Sequence, residues 1–118
     1  MEIRESFDGR RVILHLEGEM DLHTAPLFRE RLEEAVERYG VCDVVADLSA
    51  VTFIDSSGLG ALLGRHRALR ERGGALHLLA PGERLRSILD LAGLTRALDV
   101  WEELPRPAER REVRADGR

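Results

Sequence analysis

The chain has 118 residues and a mass of 13.3 kDa, the size of one domain. All 18 of its cationic residues are arginine, set against 22 acidic ones, and it contains no Lys, Asn or Gln. The missing primary amine excludes a phosphate-loop lysine, a Schiff-base nucleophile, an SxxK-type hydrolase and a lysine-dependent phospho-aspartate receiver, while a net charge of −4 argues against a broad nucleic-acid footprint. GC-rich codon usage explains the missing residues more simply than heat adaptation does. The lone Cys42 permits no internal disulfide and reads as a small core residue in an apolar run. No segment approaches the ~18 apolar residues of a membrane span and no signal-peptide pattern opens the chain, so a cytoplasmic protein is expected.

Ile3–Phe7, an Asp8-Gly9 turn and the apolar alternation of Arg11–Glu17 predict a β-hairpin. Phe28, Leu32, Ala35, Val36 and Tyr39 then fall at helical spacing, with Pro26 suited to the first turn and Gly40 to the stop. Cys42–Leu48 is short and β-branched, as a strand buried on both faces should be. A second helix opens at Asp55-Ser56-Ser57, carries Leu59, Leu62, Leu63 and Leu69, and closes at Gly73-Gly74. Ala75–Leu79 predicts a strand, Leu85, Ile88, Leu89 and Leu91 a third helix ending near Gly93, and Ala97–Trp101 a last strand. Helices alternating with strands after a hairpin imply an α/β domain with a mixed sheet. From Pro105 the composition turns to Arg, acid and Pro, dividing the charge into −6 over residues 1–104 and +2 over 105–118. We therefore expect a folded domain over 1–104 and a charged, flexible tail over 105–118, with Ala108–Arg114 the one stretch of it suited to a short helix.

The segment richest in chemistry is Val51-Thr52-Phe53-Ile54-Asp55-Ser56-Ser57-Gly58-Leu59-Gly60. Asp and Ser at a helix start are first of all N-caps, whose oxygens accept the free N–H groups of the first turn. Capping leaves Gly58, Gly60 and Gly64 unexplained, because each costs about 1 kcal/mol relative to Ala in a helix. They permit close approach, either to the domain's own sheet or to an arriving partner. A serine here also suits a phosphoacceptor, since the helix dipole tolerates the added charge and phosphate would act by blocking a partner.

The segments IDSSGLGALLGR, LEGEMDLHTAP and VVADLSAVTF resemble the bacterial anti-sigma factor antagonists of the STAS family, over about Val12 to Trp101. The resemblance implies a STAS fold: a mixed sheet of about five strands, an N-terminal hairpin followed by parallel strands, packed with about four helices. It implies a non-enzymatic protein without cofactor or metal that binds a serine-kinase anti-sigma factor and frees the sigma factor. The kinase then phosphorylates the serine after the motif aspartate, here Ser56, and a serine/threonine phosphatase restores it. Asp21 matches a family aspartate at the kinase interface, and the expected partner-binding set is Asp21, His23, Thr24, Asp55, Ser56, Ser57, Gly58, Leu59 and Gly60. A monomer or weak dimer, without nucleic-acid or membrane partners, is expected. The alternative is a non-switching STAS scaffold or regulatory subunit of a signalling or transporter assembly.

Local chemistry leaves other readings open. Asp21 also suits a turn residue sharing a cap with Thr24, and only the resemblance prefers Ser56 to Ser57. Asp47 and Asp55, eight residues apart, make a weak metal or acid–base pair. His15, His23, His66 and His77 have no zinc-site spacing; His23 and His66 are expected near the acceptor surface, His15 and His77 along strands. Ser56 lacks the GxSxG of a hydrolase nucleophile, and no Gly-rich loop with Lys supports nucleotide binding. Arg65, Arg67, Arg70 and Arg72 read as a solvated stripe near a helix end before a partner surface.

Overall fold

In a computed structural model describing residues 1–106, two strands, β1 (Glu2–Phe7) and β2 (Val12–Met20), form the expected hairpin. Its turn is closed by Asp8, whose Oδ1 accepts the N–H groups of Arg10 and Arg11 at 3.1 and 3.0 Å. Helix α1 (Ala25–Tyr39) buries Phe28, Leu32, Ala35 and Val36 and ends at Gly40, whose φ of 65° lets its N–H return to the Val36 carbonyl. Strand β3 (Asp43–Ile54), helix α2 (Ser56–Glu71), strand β4 (Ala75–Leu79), helices α3 (Glu83–Leu91) and α4 (Leu94–Ala97) and strand β5 (Val100–Trp101) complete the chain.

The sheet runs β1-β2-β3-β4-β5, with β1 antiparallel to β2 and every later pair parallel. This is the mixed five-stranded sheet with four helices that the resemblance implies. Alternate residues of a strand share a face, and Val12, Leu14, Leu16, Val44, Ala46, Leu48, Leu76 and Leu78 supply the sheet side of one core. Phe28, Leu32, Leu62, Leu69, Leu85, Leu89 and Leu94 close it from the helices. On the opposite face Ile13 and Val45 are buried outside that cluster, in the company of His15, Asp47 and His77. Among the described residues no helix is long and apolar enough to cross a membrane.

Four sequence expectations need correction. Strand β2 continues past Glu17 to Met20 through register shifts around Gly18, a bulge the apolar alternation does not announce. Strand β3 starts at Asp43, leaving Cys42 half-buried just outside it, and does not stop at Leu48. It runs on to Ile54 because its second half still pairs with β2, after β4 has ended opposite Asp47. Ala97 closes the one-turn helix α4, so β5 keeps only Val100 and Trp101. Leu91 is 90% exposed, although it continues the apolar spacing of α3.

Arg11 is the buried charge that sequence reading misses. Its Nε donates to Asp8 Oδ2 at 2.8 Å, its Cζ lies 5.7 Å from the Trp101 ring centre, and its Nη2 donates to the Pro105 carbonyl. The start of the charged terminal stretch is thus attached to the sheet. The rest of the expected tail, including Ala108–Arg114, lies outside the described residues.

Candidate functional site

Strands β2 and β3 are parallel neighbours whose last residues, Met20 and Ile54, are paired. The segments that follow therefore emerge side by side at the carboxyl ends of the strands, where open α/β sheets present their ligand surfaces. Asp55, extended at φ −112° and ψ −172°, is the N-cap of α2; its Oδ1 accepts the N–H groups of Ser57 at 2.9 Å and Gly58 at 3.1 Å. Its own N–H donates to the Met20 carbonyl at 3.2 Å, tying the helix start to the end of β2.

Ser56 and Ser57, equivalent as letters, differ in place. Ser56 opens α2 and is exposed, and among the described residues its hydroxyl has no hydrogen-bond partner. Ser57 is half-buried on the wall of a groove between α1 and α2.

The glycines divide as well. A Cβ at Gly58 would stand 2.4 Å from the Met20 carbonyl oxygen and 2.7 Å from Ile54 Cγ1, so this glycine lets the helix sit on its own sheet. At Gly60 and Gly64 a Cβ would meet nothing within 4 Å. Those two positions open onto the groove of about 410 Å³, which Leu22, Pro26 and Ser57 also line, with Arg29 and Arg65 at its walls. Leu59 is half-buried against the core and contributes little surface.

The Asp21 loop is a small hydrogen-bonded unit. Asp21 Oδ1 accepts the N–H of His23 at 2.9 Å and of Thr24 at 3.1 Å, while Thr24 Oγ1 accepts the Asp21 N–H at 2.8 Å. The Thr24 hydroxyl proton goes to the Glu19 carbonyl at 2.7 Å, nearer than Asp21 Oδ1 at 3.2 Å. The Thr24 N–H, followed by that of His23, holds the half-buried Asp21 carboxyl below the ordinary aspartate range. Asp21 therefore does the turn work that local chemistry suggests, and its ionised carboxylate stays at the surface beside the helix start.

The fold thus gathers Asp21, His23 and Thr24 with Asp55 to Gly60. It does not bring His66 there. That residue lies ten positions along α2, about 15 Å down the axis, and its Nδ1 accepts the Leu76 N–H at 3.2 Å. Burial, then the nearby Arg70 charge, lowers its pKa. Asp47 is also remote from Asp55 in role: it accepts from His15 and Ser49 within the sheet. Among the described residues no group of three or more His, Cys, Asp or Glu is placed to hold a metal. The arginine stripe is divided, since Arg65 pairs with Glu33 of α1 whereas Arg67 is exposed. Sequence reading passed over Leu22, 67% exposed, and Phe53, 48% exposed, which put apolar surface beside the two loops. The available signal was an apolar residue between the polar turn residues Asp21 and His23.

A five-stranded α/β sheet with a capped, serine-bearing helix start beside an aspartate turn is the arrangement of a STAS domain, and the STAS domain pattern matches residues 1–105. An anti-sigma F factor antagonist of Paenibacillus polymyxa is 32% identical over 91 residues, 77% of this chain and 78% of that protein. A crystal structure of an anti-sigma factor antagonist from Mycobacterium paratuberculosis superposes with a TM-score of 0.76 at 26% identity, covering 87% of this chain and 86% of that one. The antagonist SpoIIAA in its unphosphorylated form gives 0.73 at 25% identity, covering 97% of both chains, and the Bacillus protein in its phosphorylated form gives 0.65 at 25% identity, covering 94% and 97%. The chain belongs to the STAS-domain anti-sigma factor antagonist family.

Proposed function

We propose that this protein is an anti-sigma factor antagonist that docks a serine-kinase anti-sigma factor through Asp21, His23, Thr24 and the Asp55–Gly60 helix start, thereby freeing the sigma factor. Phosphorylation of Ser56 by that kinase ends the docking, and a serine/threonine phosphatase reverses it. In this switch the protein is the kinase's substrate and catalyses no step itself; it works without a cofactor as a monomer or weak dimer, and carries the switching activity in residues 1–104. Within the docking set, Gly58 acts by letting α2 sit close to Met20 and does not itself meet the partner.

The observation that carries this reading is the exposed, unpartnered Ser56 hydroxyl at a helix start that Asp55 already caps. Because the Asp55 carboxylate holds the Ser57 and Gly58 N–H groups, a phosphate on Ser56 is not drawn into them and projects toward solvent. It adds roughly −1.5 to −2 charges next to the Asp55 and Asp21 carboxylates, at the face a partner must approach. The helix dipole offsets part of that repulsion within the protein itself, so the switch acts on docking and leaves the fold in place. The existence of SpoIIAA in both phosphorylation states supports the same reading.

Incubation with the serine-kinase anti-sigma factor of the same organism and ATP, followed by mass-spectrometric mapping, tests it. One phosphate on Ser56 is expected. Phosphate confined to Ser57, or none at all, contradicts it.

A further inference from the structure

The sheet face opposite the helices holds a polar cluster that the docking surface does not use. His15 of β2 stands between Ser6 of β1 and Asp47 of β3, its Nδ1 2.9 Å from Asp47 Oδ2 and its Nε2 3.1 Å from Ser6 Oγ. A carboxylate only accepts, so Nδ1 carries a proton, and in the neutral imidazole Nε2 is then the lone-pair nitrogen facing the Ser6 hydroxyl. Asp47 is fixed in its turn, because its Oδ1 accepts the Ser49 N–H at 3.0 Å and the Ser49 hydroxyl at 2.8 Å. Partial burial opposes its charge, but the His15 and Ser49 hydrogen bonds outweigh burial and hold the carboxyl below the ordinary range.

Strand register creates this alignment. His15 is paired with Asp47 on one side and with Arg4 on the other, and Ser6 lies two residues from Arg4 on the same face of β1. Arg4, exposed and two residues from Ser6 on the same face of β1, makes no ion pair among the described residues. Ser6 is exposed and the His15 side chain retains 31% exposure, which leaves both open to a small molecule.

A hydroxyl facing the free nitrogen of an imidazole whose other nitrogen is held by a carboxylate is the arrangement that activates serine for acyl transfer. We propose that Ser6 is a base-activated nucleophile and that this face slowly hydrolyses small acyl esters, with His15 as general base and acid. Asp47 is a positioning residue, and Arg4 faces the negative charge that develops on the carbonyl oxygen. Ser6 Oγ adds to the ester carbonyl carbon as His15 Nε2 takes its proton. The bond to the alcohol oxygen breaks and the alcohol leaves with that proton. Water, deprotonated by His15, adds to the acyl-Ser6 carbon; the carboxylic acid departs and His15 returns the proton to Ser6 Oγ. The open strand surface favours small activated esters over substrates that need a deep pocket.

The test uses the full chain, a fluorophosphonate reagent with mass-spectrometric mapping, and 4-nitrophenyl acetate hydrolysis. The wild-type protein is expected to carry the adduct on Ser6, and Ser6→Ala to lose both adduct and hydrolysis. His15→Gln should slow both by about 100-fold, the usual weight of a general base, whereas Ser87→Ala on exposed α3 should change neither. Asp47→Asn should slow labelling and Asp47→Glu restore part of the rate, a recovery that a merely structural carboxylate would not give. No adduct on Ser6 of the wild-type protein, or the same labelling rate in a His15→Gln protein of unchanged circular dichroism, overturns the proposal.

Discussion

Gly58→Ala tests how α2 is seated. The added Cβ would lie 2.4 Å from the Met20 carbonyl oxygen, 2.7 Å from Ile54 Cγ1 and 2.8 Å from Met20 Cγ. Carbon–oxygen contacts of this kind normally begin near ~3.3 Å, so α2 must lift by several tenths of an ångström or more. The Met20 oxygen cannot turn aside freely, because it accepts the Asp55 N–H at 3.2 Å and belongs to the last residue of β2. Overpacking of this sort costs about 1–3 kcal/mol, and the better helix propensity of alanine returns up to about 1 kcal/mol. The net expectation is a loss of about 1–2 kcal/mol, or roughly 4–8 °C in Tm for a chain of this size. Gly60→Ala is the internal control: nothing lies within 4 Å of its Cβ, so it should gain about 0.5–1 kcal/mol. Urea unfolding followed by circular dichroism compares the two. A Gly58→Ala protein as stable as the wild type would refute the close-approach argument.

Asp55→Ala removes the acceptor for two first-turn N–H groups and should cost about 1–2 kcal/mol in the same unfolding assay, while Asp55→Asn keeps most of that stability. Ser56→Asp places a carboxylate at the positive end of α2 and should change stability by less than about 0.5 kcal/mol, while calorimetry finds weakened binding to the serine-kinase anti-sigma factor. Arg11→Ala removes the partner of Asp8 and the cover of Trp101; with Asp8 a quarter exposed, about 3 kcal/mol is expected by urea unfolding, the low end for a broken buried pair. The Asp47 carboxyl is depressed in the folded state, so its contribution is full above the unfolded value near 3.8 and is lost as pH falls through and below it. Asp47→Asn should flatten that acid-side fall in a stability–pH curve.

The parts of the fold that show in the letters are those where one face is apolar and the other is not. Phe28, Leu32, Ala35 and Val36 mark α1 because every one of them meets the core, and Gly40 ends it by its backbone. Strand β3 is illegible beyond Leu48 because Ser49 and Ala50 are exposed, and pairing with the bulged end of β2, not hydrophobicity, keeps the strand going. One turn of helix at α4 and two residues of β5 are too short to carry any period. Leu91 keeps helical spacing yet faces solvent, so spacing alone overstates the core.

At the site, the Asp55 cap and the two serines that follow it are local features, and DSSG announces them. What separates Ser57 from Ser56 is the groove wall against open solvent, and what separates Gly58 from Gly60 is the Met20 carbonyl against the groove. The Ser6–His15–Asp47 alignment draws on three strands, and nothing in the sequence gives their register. Arg11 reads as an ordinary strand-end arginine until Trp101 and Pro105 come back over it.

The most direct measurement of the central claim is the affinity of the serine-kinase anti-sigma factor for this protein before and after stoichiometric phosphorylation, by calorimetry on the same preparation. The account predicts binding by the unphosphorylated form and a loss of at least about tenfold, ~1.4 kcal/mol, once Ser56 is phosphorylated. Equal affinity of the two forms, with phosphate mapped to Ser56, would contradict it.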